Sequence, residues 1–173
     1  MQDTEIAAPW NAAELTEPPS AEDKRRLYGD LAQALEGLLA GETDWIANTA
    51  NAAASIFHTL PALNWAGFYF LRGDELVLGP FQGKPACVRI GLGKGVCGAA
   101  AAQRRTIRVA DVHAFPGHIA CDAASRSELV VPLLHRGEVL GVLDLDSPIP
   151  ARFDATDQDG CETLVRLLLR HAP

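Results

Sequence analysis

The residues in this chain best able to do chemistry are four cysteines and a few carboxylates, and two of them share one short stretch. That stretch is FPGHIACDAASRSELVVPL, residues 115–133, which holds Cys121 and Glu128. Cys121 lies in a segment too polar to be core and too short to be a helix of its own. Glu128 opens a strongly apolar run, where a charge is costly to hide. Farther on, GVLDLDS contributes Asp144 and Asp146, two residues apart. A thiol can attack an electrophile, form a disulfide or bind a metal. Clustered carboxylates can bind a cation with their ionised members and, when partly buried, keep one proton near neutral pH.

Cys87, Cys97, Cys121 and Cys161 are spaced by 10, 24 and 40 residues with no C-x-x-C pair, which argues against a zinc site. In a reducing cytosol such cysteines are buried and inert, metal ligands or redox-active rather than permanent staples. Cys161 lies among Leu164, Leu167 and Leu168 and reads as a small packed hydrophobe. Cys97 follows Gly95 in the first turn of an alanine-rich helix, where the helix dipole favours a thiolate. Cys87 and Cys121 sit in polar or Gly/Pro-flanked stretches in which loops can bring sulfurs together.

These groups need elements to position them. Residues 1–19, with Pro9, Pro18 and Pro19, read as an extended arm whose Trp10 could dock on the domain or on another subunit. Residues 20–173 read as one domain. Ser20 and Asp23 resemble a capping box ahead of a helix with Leu27, Leu31, Leu35 and Leu38 at helical spacing. Thr43 can cap a second helix that Pro61 stops. NWAGFYFLRGDELVLGPFQG reads as a hairpin, with Trp65, Gly67 and Tyr69 on one face of its first strand. A strand, a Gly-rich turn, the alanine-rich helix and the short strand IRVADV follow. ELVVPLLHRGEVLGVLDLDS is a second hairpin, and Asp154 caps the last helix. The order predicts an α+β fold with a mostly antiparallel central sheet, N- and C-terminal helices on one face and a ligand pocket on the other.

The second hairpin decides where the acids point. With a three-residue loop, His135-Arg136-Gly137, Leu134 faces Glu138 and Glu128 faces Asp144. Glu128, Asp144 and Asp146 then share a face with Val130, Pro132, Leu140 and Val142, while Leu129, Val131, Leu133, Val139 and Leu143 line the other. A two-residue loop, Arg136-Gly137, would put Glu128 on the opposite face and make these acids ordinary surface groups.

The bulk composition narrows the classes. A chain of 173 residues with 48% hydrophobic and 21% charged residues suits one globular domain. Its net charge of -7 argues against nucleic acid or an anionic membrane as partner. The acidic start MQDTEIAAPW lacks the basic residues of a signal peptide, and no apolar run approaches the roughly 18 residues of a membrane span, so a cytoplasmic location is expected.

Taken in order, NWAGFYF, LGPFQGKPACVRI, GKGVCG, DVHAFPGHIACD, SELVVPL and GVLDLDS resemble the free methionine-(R)-sulfoxide reductases, single-domain members of the GAF fold, from about residue 25 to the C-terminus. The resemblance implies reduction of free methionine-(R)-sulfoxide to methionine with electrons from thioredoxin and no metal or organic cofactor. It makes Cys121 the nucleophile, Cys87 the resolving partner and Cys97 a third redox cysteine. Glu128, Asp144 and Asp146 become substrate-binding carboxylates, with Glu128 also the proton donor, and Trp65 and Tyr69 flank the substrate methyl. The family also suggests a homodimer. Two readings compete with it: a GAF module that binds a small ligand, and a thiol sensor that cycles a disulfide without turnover.

Overall fold

Ser20 starts the first helix as its spacing predicts: its Oγ accepts the backbone N–H of Asp23 at 3.2 Å, satisfying one of the unpaired donors of the opening turn. The computed structural model describes residues 19–117 and 122–173; the predicted arm up to residue 18, with Trp10, lies outside the described residues, as does Cys121. Helix α1 (Ala21–Leu39) buries Tyr28, Leu31, Leu35 and Leu39. Leu38, placed on that stripe from its spacing, is instead 48% exposed, because Leu39 is the residue one full turn beyond Leu35. Helix α2 (Trp45–Thr59) is capped by Asp44 rather than Thr43, through a 2.8 Å bond from the Ala47 N–H to Oδ1. A carboxylate there also complements the helix dipole.

Strands β1 (Trp65–Arg72), β2 (Glu75–Gly83), β3 (Arg89–Gly91), β4 (Ile107–Val109), β5 (Ser127–His135) and β6 (Glu138–Ser147) form one antiparallel sheet in the order β3-β2-β1-β6-β5-β4. α1, α2 and α4 (Ala155–Leu169) pack on one face, around Phe68, Phe70, Leu129, Leu133, Leu143 and Leu145. The alanine-rich helix α3 (Gly95–Gln103) covers part of the opposite face, over Trp65, Tyr69, Val130 and Val142. Its small side chains allow that close approach. The α+β arrangement expected from the sequence is present, with the terminal helices on one face. No helix among the described residues is long and apolar enough to cross a membrane.

The β5–β6 hairpin departs from the expected register. Its loop is the two-residue Arg136-Gly137, both at positive φ (49° and 83°), closing on a His135–Glu138 pair. That loop alone would turn Glu128 away from Asp144 and Asp146. A bulge restores the parity: Leu134 faces Val139 but Leu133 faces Gly141, leaving Leu140 as an extra residue in β6. Glu128 therefore faces Asp146, not Asp144, and all three acids stay on one side. The bulge also exchanges two assignments, since Leu140 packs with the helix-side core and Val139 with the opposite cluster.

A buried polar knot joins α1 to α4. Asp157 receives Lys24 Nζ at 2.5 Å, Arg152 at 2.8 Å and the Tyr28 hydroxyl at 3.1 Å, while the Asp154–Asp157 capping box closes the α4 N-terminus. Cys161 is fully buried beside Tyr28, and burial pushes its thiol up to about 12. It is the inert packed cysteine that its leucine neighbours suggested.

Candidate active site

Three adjacent strands set the side chains of the site in rows. Trp65 of β1 pairs with Asp146 of β6, which pairs with Glu128 of β5. The next inward-facing row is Gly67, Asp144 and Val130, and the one beyond it Tyr69, Val142 and Pro132. Period-two alternation therefore turns two aromatics and three carboxyls toward one space. Gly67 is required there, because a Cβ would overlap Phe81 and the Trp65 ring.

The aromatic rings form a stack. Trp65 lies 5.8 Å from Tyr69 and 5.3 Å from Phe81, centroid to centroid, with interplanar angles of 25° and 13°. Their polar tips face the loop between β2 and β3: the Trp65 indole N–H donates to the Lys84 carbonyl at 3.1 Å, and the Tyr69 hydroxyl to the Cys87 carbonyl at 3.0 Å. The rings are thus fixed by packing and at the same time hold the backbone that carries Cys87.

The acids are withdrawn from water. Glu128 and Asp144 are each 6% exposed. Burial, followed by the charge of Asp146, holds the Glu128 carboxyl well above the ordinary carboxylate range. Burial and then Glu128 do the same to Asp144, and burial and then Asp144 to Asp146. A shared proton is the natural state of such a group. Asp144 Oδ1 is buried with no hydrogen-bond partner, so the cluster lacks a donor at that point.

Cys97 is in the first turn of α3 as expected, but not as a thiolate. Its Sγ lies 3.9 Å from Glu128 Oε1, and burial together with Asp144 and Glu128 keeps the thiol protonated. The carboxylates and the missing solvent outweigh the helix dipole. One atom each from Cys97, Glu128 and Asp144 lie within 4.8 Å of one another, a spacing compatible with a cation or an ammonium group.

A cavity opens against these groups, lined by Trp65, Tyr69, Cys97 and the three acids, and closed at its rim by Lys94, Asp122 and Ser125. Four residues missed in the sequence reading, Asn64, Lys84, Asp122 and Ser125, shape that rim. Asn64 Nδ2 donates to Asp122 Oδ2 at 3.2 Å and to Ser125 Oγ at 3.0 Å, while the Asn64 backbone N–H donates to the Asp146 carbonyl. Lys84 Nζ lies 3.5 Å from Asp122. Asn64 thus ties the segment following Cys121 to the strand bearing the acids. Direct adjacency to Trp65 and to Cys121 in the sequence was the available signal for Asn64 and Asp122. Cys87 is in a disulfide, whereas Cys97 and Cys161 are free thiols.

This architecture coincides with a known class. Residues 34–171 match the GAF domain. The chain is 51% identical over 146 residues to the free methionine-R-sulfoxide reductase of Escherichia coli, covering 84% of this chain and 88% of that one. It superposes on the free methionine-R-sulfoxide reductase of Neisseria meningitidis, solved in complex with its substrate, with a TM-score of 0.84 and 46% identity over 91% of this chain and 95% of that one. The Staphylococcus aureus protein of the same kind, also in complex with substrate, gives a TM-score of 0.81 at 47% identity, covering 84% and 95%. The chain belongs to the free methionine-R-sulfoxide reductase family of GAF domains.

Proposed function

We propose that this chain is an oxidoreductase that reduces free methionine-(R)-sulfoxide to methionine, with Cys121 as nucleophile and thioredoxin as the final reductant. The observation that carries this reading is the row of Trp65, half-buried Asp146 and buried Glu128, with buried Asp144 beside it, facing one cavity. An acid that retains its proton suits the sulfoxide oxygen, which must be protonated or strongly hydrogen-bonded before sulfur becomes electrophilic. Glu128 takes that role. Ionised Asp144 and Asp146 take the substrate ammonium, supplying the donor that Asp144 Oδ1 lacks. A peptide-bound methionine has no such charge and would leave buried carboxylates without a partner, so the free amino acid is preferred. Trp65 and Tyr69 hold the methyl.

The Cys121 thiolate attacks the sulfoxide sulfur, the S–O bond breaks as oxygen leaves to the cysteine with a proton from Glu128, and the products are methionine and a Cys121 sulfenic acid. The Cys87 thiol displaces water from that sulfenic acid to give a disulfide, and a dithiol of the thioredoxin class reduces it by exchange. The presence of Cys87 in a disulfide while Cys97 and Cys161 remain thiols supports the resolving role. These working thiols suit a reducing cytoplasm. Methionine release from racemic free sulfoxide with dithiothreitol or thioredoxin tests the reading. Cys121→Ser should abolish it under both reductants, whereas Cys87→Ser should mainly lose thioredoxin-supported turnover. Equal loss in the two variants under dithiothreitol would remove the division of roles.

A further inference from the structure

α1 and α4 run parallel, as Lys24 meets Asp157, Tyr28 lies beside Cys161 and Arg170 reaches Glu36. α1 thus covers one flank of α4. Along another flank, between α4, β5 and the connection from α3 to β4, lies an open groove of about 490 Å³. Its floor is apolar, built from Val131, Pro132 and Leu134 of β5 with Val165 and Leu169 of α4. Leu134 is 39% exposed there.

The rim is basic. Arg104, Arg105 and Arg166 line it, and Arg108 is held beside it by Gln158. Each donates to a neutral acceptor: Arg104 to the Gly137 carbonyl, Arg105 to Gln103, Arg108 to Gln158 and Arg166 to Thr163. Among the described residues none of the four pairs with a carboxylate, unlike Lys24, Arg26, Lys84, Arg89, Arg152 and Arg170. Glu162, the acid in the groove, is engaged by Thr106 and Gln158. Four such arginines around an apolar trough, in a chain of net charge -7, fit an acidic amphipathic segment.

We propose that residues 1–18 of the same chain occupy this groove. Their sequence, MQDTEIAAPWNAAELTEP, contains Asp3, Glu5, Glu14 and Glu17, no Lys or Arg, and the apolar anchors Ile6, Trp10 and Leu15. They lead into α1 at the end where Lys24 contacts the N-terminus of α4. At about 3.3 Å per residue, 18 residues extend to roughly 60 Å, more than the diameter of a domain of this size, so reach is not limiting. The acids meet the arginines and the apolar side chains fill the trough, braced against β5, whose far end carries Glu128.

Photocrosslinking of the full chain tests this. With Trp10→p-benzoylphenylalanine, irradiation should join position 10 to peptides containing residues 129–134 or 164–169. The yield should fall at least tenfold in Arg105→Glu/Arg166→Glu and recover when Glu14→Arg/Glu17→Arg is added to it. Glu14→Arg/Glu17→Arg alone should show the same fall without altering any residue of the folded domain. Crosslinks to other surfaces, or a yield indifferent to either charge reversal, overturn the proposal. Mixed heavy and light isotopic chains crosslinking to each other would assign the groove to a second copy and overturn it equally.

Discussion

Glu128 illustrates how little chemistry a residue type fixes and how much its surroundings add. At 6% exposure beside Asp146, its carboxyl is held well above its ordinary range, the direction that the proposed acid role requires. Glu128→Gln should lower turnover about 100-fold or more, because an amide is a poor proton donor; steady-state kinetics with free sulfoxide check this. Asp144→Asn should mainly raise KM, by weakening ammonium binding. The same shifts govern stability. Folding favours the protonated forms of Glu128, Asp144 and Asp146, so their stabilisation is complete below about pH 4 and is lost as pH rises through the raised values. Melting temperature should therefore fall as pH rises above about 4 in the parent chain, and fall less in Asp144→Asn, where one acid is gone.

At the scale of elements, the acids and aromatics were legible because strands alternate: Trp65 with Tyr69 and Asp144 with Asp146 are each two residues apart. The register was not. A bulge at Leu140 has no turn residue of its own to announce it, and its effect is to cancel the one-residue slip of the Arg136-Gly137 loop. The next residue, Gly141, passes so close to β1 that a Cβ would overlap the Tyr69 carbonyl. The state of Cys97 was equally hidden, because a helix N-terminus is local and visible in sequence while carboxyls brought to it from β5 and β6 are not. Gly67→Ala should displace Trp65 or Phe81, cost about 1–3 kcal/mol in denaturant unfolding and raise KM more than it lowers kcat.

For the molecule as a whole, the order of helices and strands followed from caps, periodicity and turns, and it placed α1 and α4 together. Which residues fasten them could not be read, since Lys24 is far in sequence from Arg152 and Asp157 and all three look like ordinary surface charges. All three are buried, with Asp157 receiving Lys24, Arg152 and Tyr28. Asp157→Ala leaves buried Arg152 without a carboxylate and Lys24 with only the half-exposed Asp154, and should cost about 3–5 kcal/mol, read by urea unfolding. The loss should appear as instability of the whole domain, with the KM of the protein that remains folded unchanged.

The central claim is that the Cys121 sulfur takes oxygen from a free methionine sulfoxide held by the acids of β5 and β6. Fully reduced protein mixed with the free (R)-sulfoxide and no external reductant tests it in one turnover. The account predicts about one methionine per chain and the loss of two thiols, with peptide mapping placing the new disulfide between Cys121 and Cys87. Methionine formed while Cys121 stays open to alkylation, or no methionine at all, would contradict it.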